Sequence, residues 1–197
     1  MHYPHFYDTL PAITLKDELA ELLGACEDGI ITFSYLDAVK IAGHSCPTVL
    51  GAYMMLQRGI NKLYDSHMPK RGEIVVEFRD AQDSGVTGVM ANLATAITGA
   101  TSDFGFGGLG GKYSRKSLLF FNAPIKGIMR LTRTDTSDSV TLDYDTSSIP
   151  KSPRTAELMP KILQSKASEQ EKADFQKLWQ NGVEAIAGEI DRFIKIM

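Results

Sequence analysis

The run from Pro47 to Tyr64 sets the terms for the rest of the chain. Its apolar residues, Val49, Leu50, Tyr53, Met54, Met55, Leu56, Ile60 and Leu63, cover most of a helical surface instead of one stripe. A helix apolar on nearly every side must be enclosed by other elements, so it is expected in the middle of the fold, with its methionines as core filler. Gly51 within it is expected to permit close approach of a neighbour. Pro47 marks the start, because proline at the first helical position gives up an N–H that would have no partner there. Cys46 is then the expected N-cap, its sulfur facing the free N–H groups of the first turn. The positive end of the helix dipole lies there too and favours a thiolate. His44 sits on the same turn, two residues earlier, and can share a ligand, a proton or a metal with that sulfur.

Three chemistries suit this pair. Imidazole and thiolate both bind zinc, and two protein ligands leave room for others. A cysteine nucleophile activated by histidine is the second, and needs a third group to orient the ring. The third is structural, with Cys46 a plain helix cap and His44 hydrogen-bonded in the core.

The segment Gly43-His44-Ser45-Cys46-Pro47 resembles the Gly-His-x-Cys-Pro motif of the FmdE family, named after one component of molybdenum or tungsten formylmethanofuran dehydrogenases. Further stretches are similar in the same order. Arg71-Gly72-Glu73-Ile74-Val75-Val76-Glu77 resembles the family strand, and Ile97-Thr98-Gly99-Ala100-Thr101 its Thr-Gly-Cys-Thr turn. Lys112 to Lys116, running into Leu118-Leu119-Phe120-Phe121, resembles the next strand of the family. The similarity covers the segment from Leu36 to Tyr144. There are two departures. Many members carry a second histidine where this chain has Ala42, and the family turn has a cysteine where this chain has Ala100. A metal bound by His44 and Cys46 must therefore find other ligands or keep open positions.

The resemblance implies an α+β fold, a homodimer with sites near the subunit interface, and a metal-binding protein, accessory or stand-alone, linked to formylmethanofuran dehydrogenase-type redox metabolism. Formylmethanofuran chemistry itself belongs to a pterin-bearing subunit, and this chain shows no pterin or iron–sulfur signature. The alternative is a metal- or Cys-dependent enzyme acting on a small anionic substrate, with Cys46 as its catalytic residue.

Other stretches supply candidates for completing the site. The opening segment His2 to Thr9 is aromatic and histidine-rich, and Tyr3, Phe6 and Tyr7 are expected to pack onto the body. His5 is the best candidate for an extra metal ligand. The loop Phe104 to Lys112 holds five glycines, at 105, 107, 108, 110 and 111. It is not a nucleotide cradle, because such cradles run strand, glycines, helix, and here the order reads helix, glycines, strand. As a functional element it would be a lid over the His44/Cys46 pocket, with Lys112 and Arg115 attracting an anionic ligand. His67 is expected to be a solvated surface residue.

The remaining pattern reads as α+β with a mixed sheet. Thr14 is expected to cap a helix from Leu15 to about Cys26, before a strand from Ile30 to Tyr35. Glu73 to Arg79 alternates as a strand, Gly85 to Ile97 reads as a helix ending at Gly99, and Gly127 to Tyr144 as a hairpin around Asp135 to Asp138. Ser147 to Arg154 is the clearest linker and divides an N-terminal metal-binding domain, residues 1–147 with its arm, from a C-terminal helical extension, residues 148–197. Helices are expected from Thr155 to Gln164 and from Ser168 to the end, the second capped by Ser168 with Glu171. Its stripe of Phe175, Trp179, Ile186, Ile190, Phe193 and Met197 needs a partner, which agrees with a homodimer.

Charge and composition bound the partners. The 197 residues carry a net charge of −3, with no basic stripe for nucleic acid. No apolar run reaches the roughly 18 residues of a membrane span. The N-terminus lacks a basic region leading into an apolar one, and the two cysteines make no disulfide framework, so a reduced cytoplasm is the expected setting.

Overall fold

The computed structural model describes residues 2–147, 149 and 152–197. The chain opens with a 3-10 turn, His5–Thr9, whose Phe6 and Tyr7 are buried as expected of the aromatic arm, whereas Tyr3 stays exposed and stacks on Tyr7. Strand β1 (Ile13–Lys16) then pairs antiparallel with β2 (Ile30–Phe33), and helix α1 (Glu18–Leu22) lies between them. This corrects the helix expected over Leu15 to Cys26. Ile13 and Leu15 point inward while Thr14 and Lys16 face outward, a period of two. The partner strand lies beyond the turn, so a local window read the leucines as helical. Asp17, not Thr14, caps the shorter helix, accepting from the Leu19 and Ala20 N–H groups.

Helix α2 (Tyr35–Ala42) begins with a capping box between Ser34 and Asp37 and ends at Gly43, which takes the left-handed conformation at φ 75°. The next helix, α3 (Pro47–Tyr64), is the buried centre: Val49, Leu50, Tyr53, Met54, Met55, Leu56 and Ile60 are fully enclosed. Strand β3 (Ile74–Phe78) buries Ile74, Val76 and Phe78, and α4 (Thr87–Thr98) closes at Gly99. Of the basic stretch and the apolar residues after it, only β4 (Leu119–Phe120) is a strand; β5 (Met129–Arg133) and β6 (Ser139–Tyr144) form the expected hairpin.

The linker region lies partly outside the described residues, at 148, 150 and 151. Beyond it come α5 (Pro153–Leu163) and α6 (Glu169–Gly188), the second opened by the Ser168/Glu171 capping box. The long C-terminal helix ends earlier than its stripe suggested. After Gly188 the chain makes one short turn, α7 (Ile190–Phe193), and finishes as strand β7 (Ile194–Ile196) on the edge of β6.

The result is an α+β fold with a five-stranded mixed sheet in the order β4-β3-β5-β6-β7, where β3 and β4 are parallel and the other pairs antiparallel. Helix α3 packs against β5, β6 and β7 and is flanked by α2, α4 and α6. The C-terminal stripe finds its partner at home: Ile186, Ile190 and Phe193 join the same core as α3. It therefore does not require a second copy of the chain for its burial. No helix among the described residues is long and apolar enough to cross a membrane.

Candidate functional site

The turn between α2 and α3 places His44 and Cys46 at the surface end of the buried helix. Gly43 reverses the chain, Ser45 is buried, and its hydroxyl exchanges a 2.9 Å hydrogen bond with Tyr35. Trp179 of α6, 134 residues later in the chain, donates its indole N–H to the Ser45 carbonyl at 2.9 Å. The turn is thus pinned from two sides, with His44 exposed and Cys46 half-buried against the core. Cys46 is the N-cap, with φ −153° and ψ 170°, and its sulfur accepts from the Val49 N–H at 3.4 Å. His44 is exposed, with Nδ1 3.0 Å from the Ala42 carbonyl oxygen. A carbonyl only accepts, so Nδ1 carries the proton and Nε2 of the neutral ring keeps a free lone pair.

Behind the turn the core is phenolic. Tyr35 and Tyr144 are buried, and burial pushes both phenols up, so they stay protonated across the physiological range. The Tyr144 ring lies directly on Gly51, where any Cβ would overlap it, so that glycine answers a close approach as its place in an otherwise bulky helix suggested.

A cavity of about 890 Å³ opens beside Cys46. Cys46, Pro47 and Thr48 form one wall, Thr146, Ser147 and Ile149 a second, and α5 and α6 the remainder through Met159, Leu178, Trp179 and Ile186. Trp179 went unrecognised in the sequence as a site residue. Trp179 read as one member of an apolar stripe, and only the contact with Ser45 reveals its place.

The other candidates lie elsewhere. His5 is almost fully exposed, 3.9 Å from Asp8, and lines a separate cavity of about 620 Å³ with Arg58 and Asp191. Among the described residues no three His, Cys, Asp or Glu side chains come together as a metal cage, so His5 does not join His44 and Cys46. Ala100 is fully buried with no donor to offer. The glycine loop is exposed, with Phe104, Phe106 and Leu109 facing out, and none of its residues lines the Cys46 cavity. Lys112 is exposed on that loop.

Arg115 departs most from its expected role as an anion site. It is buried, and its guanidinium donates to Asp17 at 2.7 Å and to the Arg71 carbonyl at 2.6 Å. Arg71 in turn donates to the other Asp17 oxygen at 2.8 Å and to the Ala96 and Ile97 carbonyls at the end of α4. Burial alone would raise the Asp17 carboxyl, but the Arg71 hydrogen bond, the Ala20 N–H and the Arg115 charge outweigh it and hold it below the usual range. The network joins α1, α4 and the approach to β4, and its two cations already have their anion.

No curated protein matches the chain. A family model described as FmdE, Molybdenum formylmethanofuran dehydrogenase operon, matches residues 41–191. That span begins in the last turn of α2, takes in His44, Cys46 and all of α3, and runs through α5 and α6 into the short turn before β7. The fold, the Gly-His-x-Cys-Pro turn at the mouth of α3 and this match agree, and the chain belongs to the FmdE family.

Proposed function

We propose that this FmdE-family chain is a metal-binding protein that holds zinc, or another transition metal, through His44 Nε2 and Cys46 Sγ. The observation that carries this reading is the His44 Nδ1 hydrogen bond to the Ala42 carbonyl. Metal-ligating imidazoles are commonly fixed in this way, the far N–H on a backbone carbonyl setting the tautomer and raising the basicity of the ligating nitrogen. The donor chemistry fits zinc, since imidazole and thiolate are both good ligands for it.

Two protein donors make the site an open one. The remaining positions fall to a small ligand, solvent or a residue of a second copy, because no third donor stands close among the described residues. A metal held there supplies a Lewis acid with room for a ligand beside the cavity. The homodimer implied by the family belongs to this proposal, as does a reducing setting in which both cysteines stay free. So does the accessory or stand-alone role linked to formylmethanofuran dehydrogenase-type redox metabolism.

Elemental analysis of purified wild type, His44→Ala and Cys46→Ser tests the proposal. We expect close to one metal ion per wild-type chain and loss of most of it in each variant. Equal metal content in all three proteins would overturn the reading. Light scattering of the same samples at micromolar concentration reads the dimer, and a monomer that still binds metal would remove the partner as a source of ligands.

A further inference from the structure

The second cavity, about 620 Å³, lies where the N-terminal arm meets α3 and the junction of α6 with α7. Its volume falls within the roughly 300–1,000 Å³ usual for small-molecule sites. Phe6 and Leu10 come from the arm, Met54 and Arg58 from one face of α3, a turn apart, and Glu184 and Asp191 from the C-terminal helices. Phe6 and Met54 are buried and give the cavity apolar walls, while Arg58, Glu184 and Asp191 add charge to the same lining.

Arg58 is the unusual member. Its Nη2 lies 2.9 Å from an Asp191 carboxylate oxygen, yet its Nε is buried with no acceptor among the described residues. Arg130 shows a filled fork for comparison, since its Nε and Nη2 each donate to Glu77 at 2.6 Å. A guanidinium matches a carboxylate with two parallel N–H groups, so the Arg58 fork is half used. Its side chain is 34% exposed, and the Asp191 side chain is 79% exposed on a turn of four residues. A pair that open to solvent contributes little, and Asp191 is easily displaced. The other lining charges nearly balance. Glu189 pairs with Arg192 at 3.1 Å, which leaves His5 and Glu184, the latter in no ion pair among the described residues. The cavity thus presents one under-used cation and one free carboxylate beside apolar surface.

We propose that this cavity binds a zwitterionic α-amino acid with a bulky apolar side chain. The ligand carboxylate takes the place of Asp191 on the Arg58 fork, the ammonium faces Glu184, and the side chain packs on Phe6, Leu10 and Met54. A zwitterion adds no net charge to a lining already close to balance. A bare anion would meet Glu184 unpaired, and a bare cation would leave the Arg58 fork half used. This cavity shares no lining residue with the one beside Cys46, and the proposal does not depend on the metal reading.

Isothermal titration calorimetry of the full chain tests it with L-phenylalanine, L-phenylalaninamide, which lacks the carboxylate, and N-acetyl-L-phenylalanine, which lacks the ammonium. We expect saturable binding of phenylalanine and at least about tenfold weaker binding of the two derivatives. Arg58→Gln should weaken phenylalanine at least about tenfold. Glu184→Gln should weaken phenylalanine and leave N-acetyl-L-phenylalanine unchanged or tighter. Asp191→Asn should act in the opposite direction and tighten phenylalanine about threefold or more, because the competing carboxylate is gone. Asp191 is exposed, so its replacement leaves the core intact. An ion pair that served only the fold would show no such opposite signs in binding. Absence of saturable phenylalanine binding, equal binding of either derivative, or no tightening in Asp191→Asn would overturn the proposal. Metal content is read separately in the same protein, so failure here and failure of the metal reading are distinguishable.

Discussion

Asp17 shows how much one buried carboxylate can organise. It caps α1, receives Arg71 and Arg115, and is 3% exposed. Removing one member of a buried ion pair leaves the others charged and uncompensated, which costs about 3–5 kcal/mol. Asp17→Asn should lower the urea-unfolding free energy by that order near neutral pH. The acid dependence comes from the direction of its shift. The folded-state pKa is depressed, so the carboxylate contributes stability above the unfolded value of about 3.9 and loses it as pH falls through the lower folded value. Wild type should therefore lose stability steeply below about pH 4, and Asp17→Asn should show a shallower decline. Parallel acid profiles for the two proteins would remove the network from the account. Gly72 belongs to the same cluster, because its φ of +86° and the Arg115 guanidinium packed on it leave no place for a Cβ. Gly72→Ala should cost at least about 1–3 kcal/mol in urea unfolding.

At the scale of elements, α3 couples the core to the site. Its N-cap is a sulfur, a weak acceptor at 3.4 Å from the Val49 N–H, and serine is among the preferred residues for that position. In metal-free protein Cys46→Ser should therefore match wild type in urea unfolding to within about 1 kcal/mol. Metal binding should fall in the same variant, so the two roles of Cys46 come apart. A large destabilisation of the metal-free variant would mean that the sulfur serves the fold and not a ligand. Gly51 sets the companion constraint, since the Tyr144 ring occupies the space of its missing side chain. Gly51→Ala should displace Tyr144 and destabilise the protein by about 1–3 kcal/mol, the range for overpacking a filled core.

The whole molecule is closed by its last residues. Strand β7 adds an edge to β6, with Leu142, Asp143 and Tyr144 paired to Ile196, Lys195 and Ile194, and Met197 exchanges both backbone hydrogen bonds with Thr141. Because Tyr144 is in that register, β7 helps to hold the ring that packs on Gly51 of α3. Deleting Ile194 to Met197 should cost about 2–4 kcal/mol, from lost ladder bonds and the burial of Ile194, measured by urea unfolding. A truncated protein of wild-type stability would show that the sheet does not depend on this edge.

What the sequence by itself determined was whatever rests on short range and on extremes of composition. Pro47 and the apolar surface of α3 announced a buried helix, Cys46 its cap, Ser168 with Glu171 a helix start, and alternation over Ile74 to Phe78 a half-buried strand. These signals lie within a few residues of one another, where backbone geometry links position to burial. Only the tertiary structure decided the rest. Ile13 to Lys16 is a strand because Ile30 to Phe33 arrives to pair with it. Ile194 to Ile196 is a strand because β6 offers an open edge. Arg115 is consumed by Asp17, 98 positions away, and Trp179 reaches Ser45 from 134 positions away. Burial and charge pairing of that kind depend on which segments meet across the chain, and local periodicity carries no record of it.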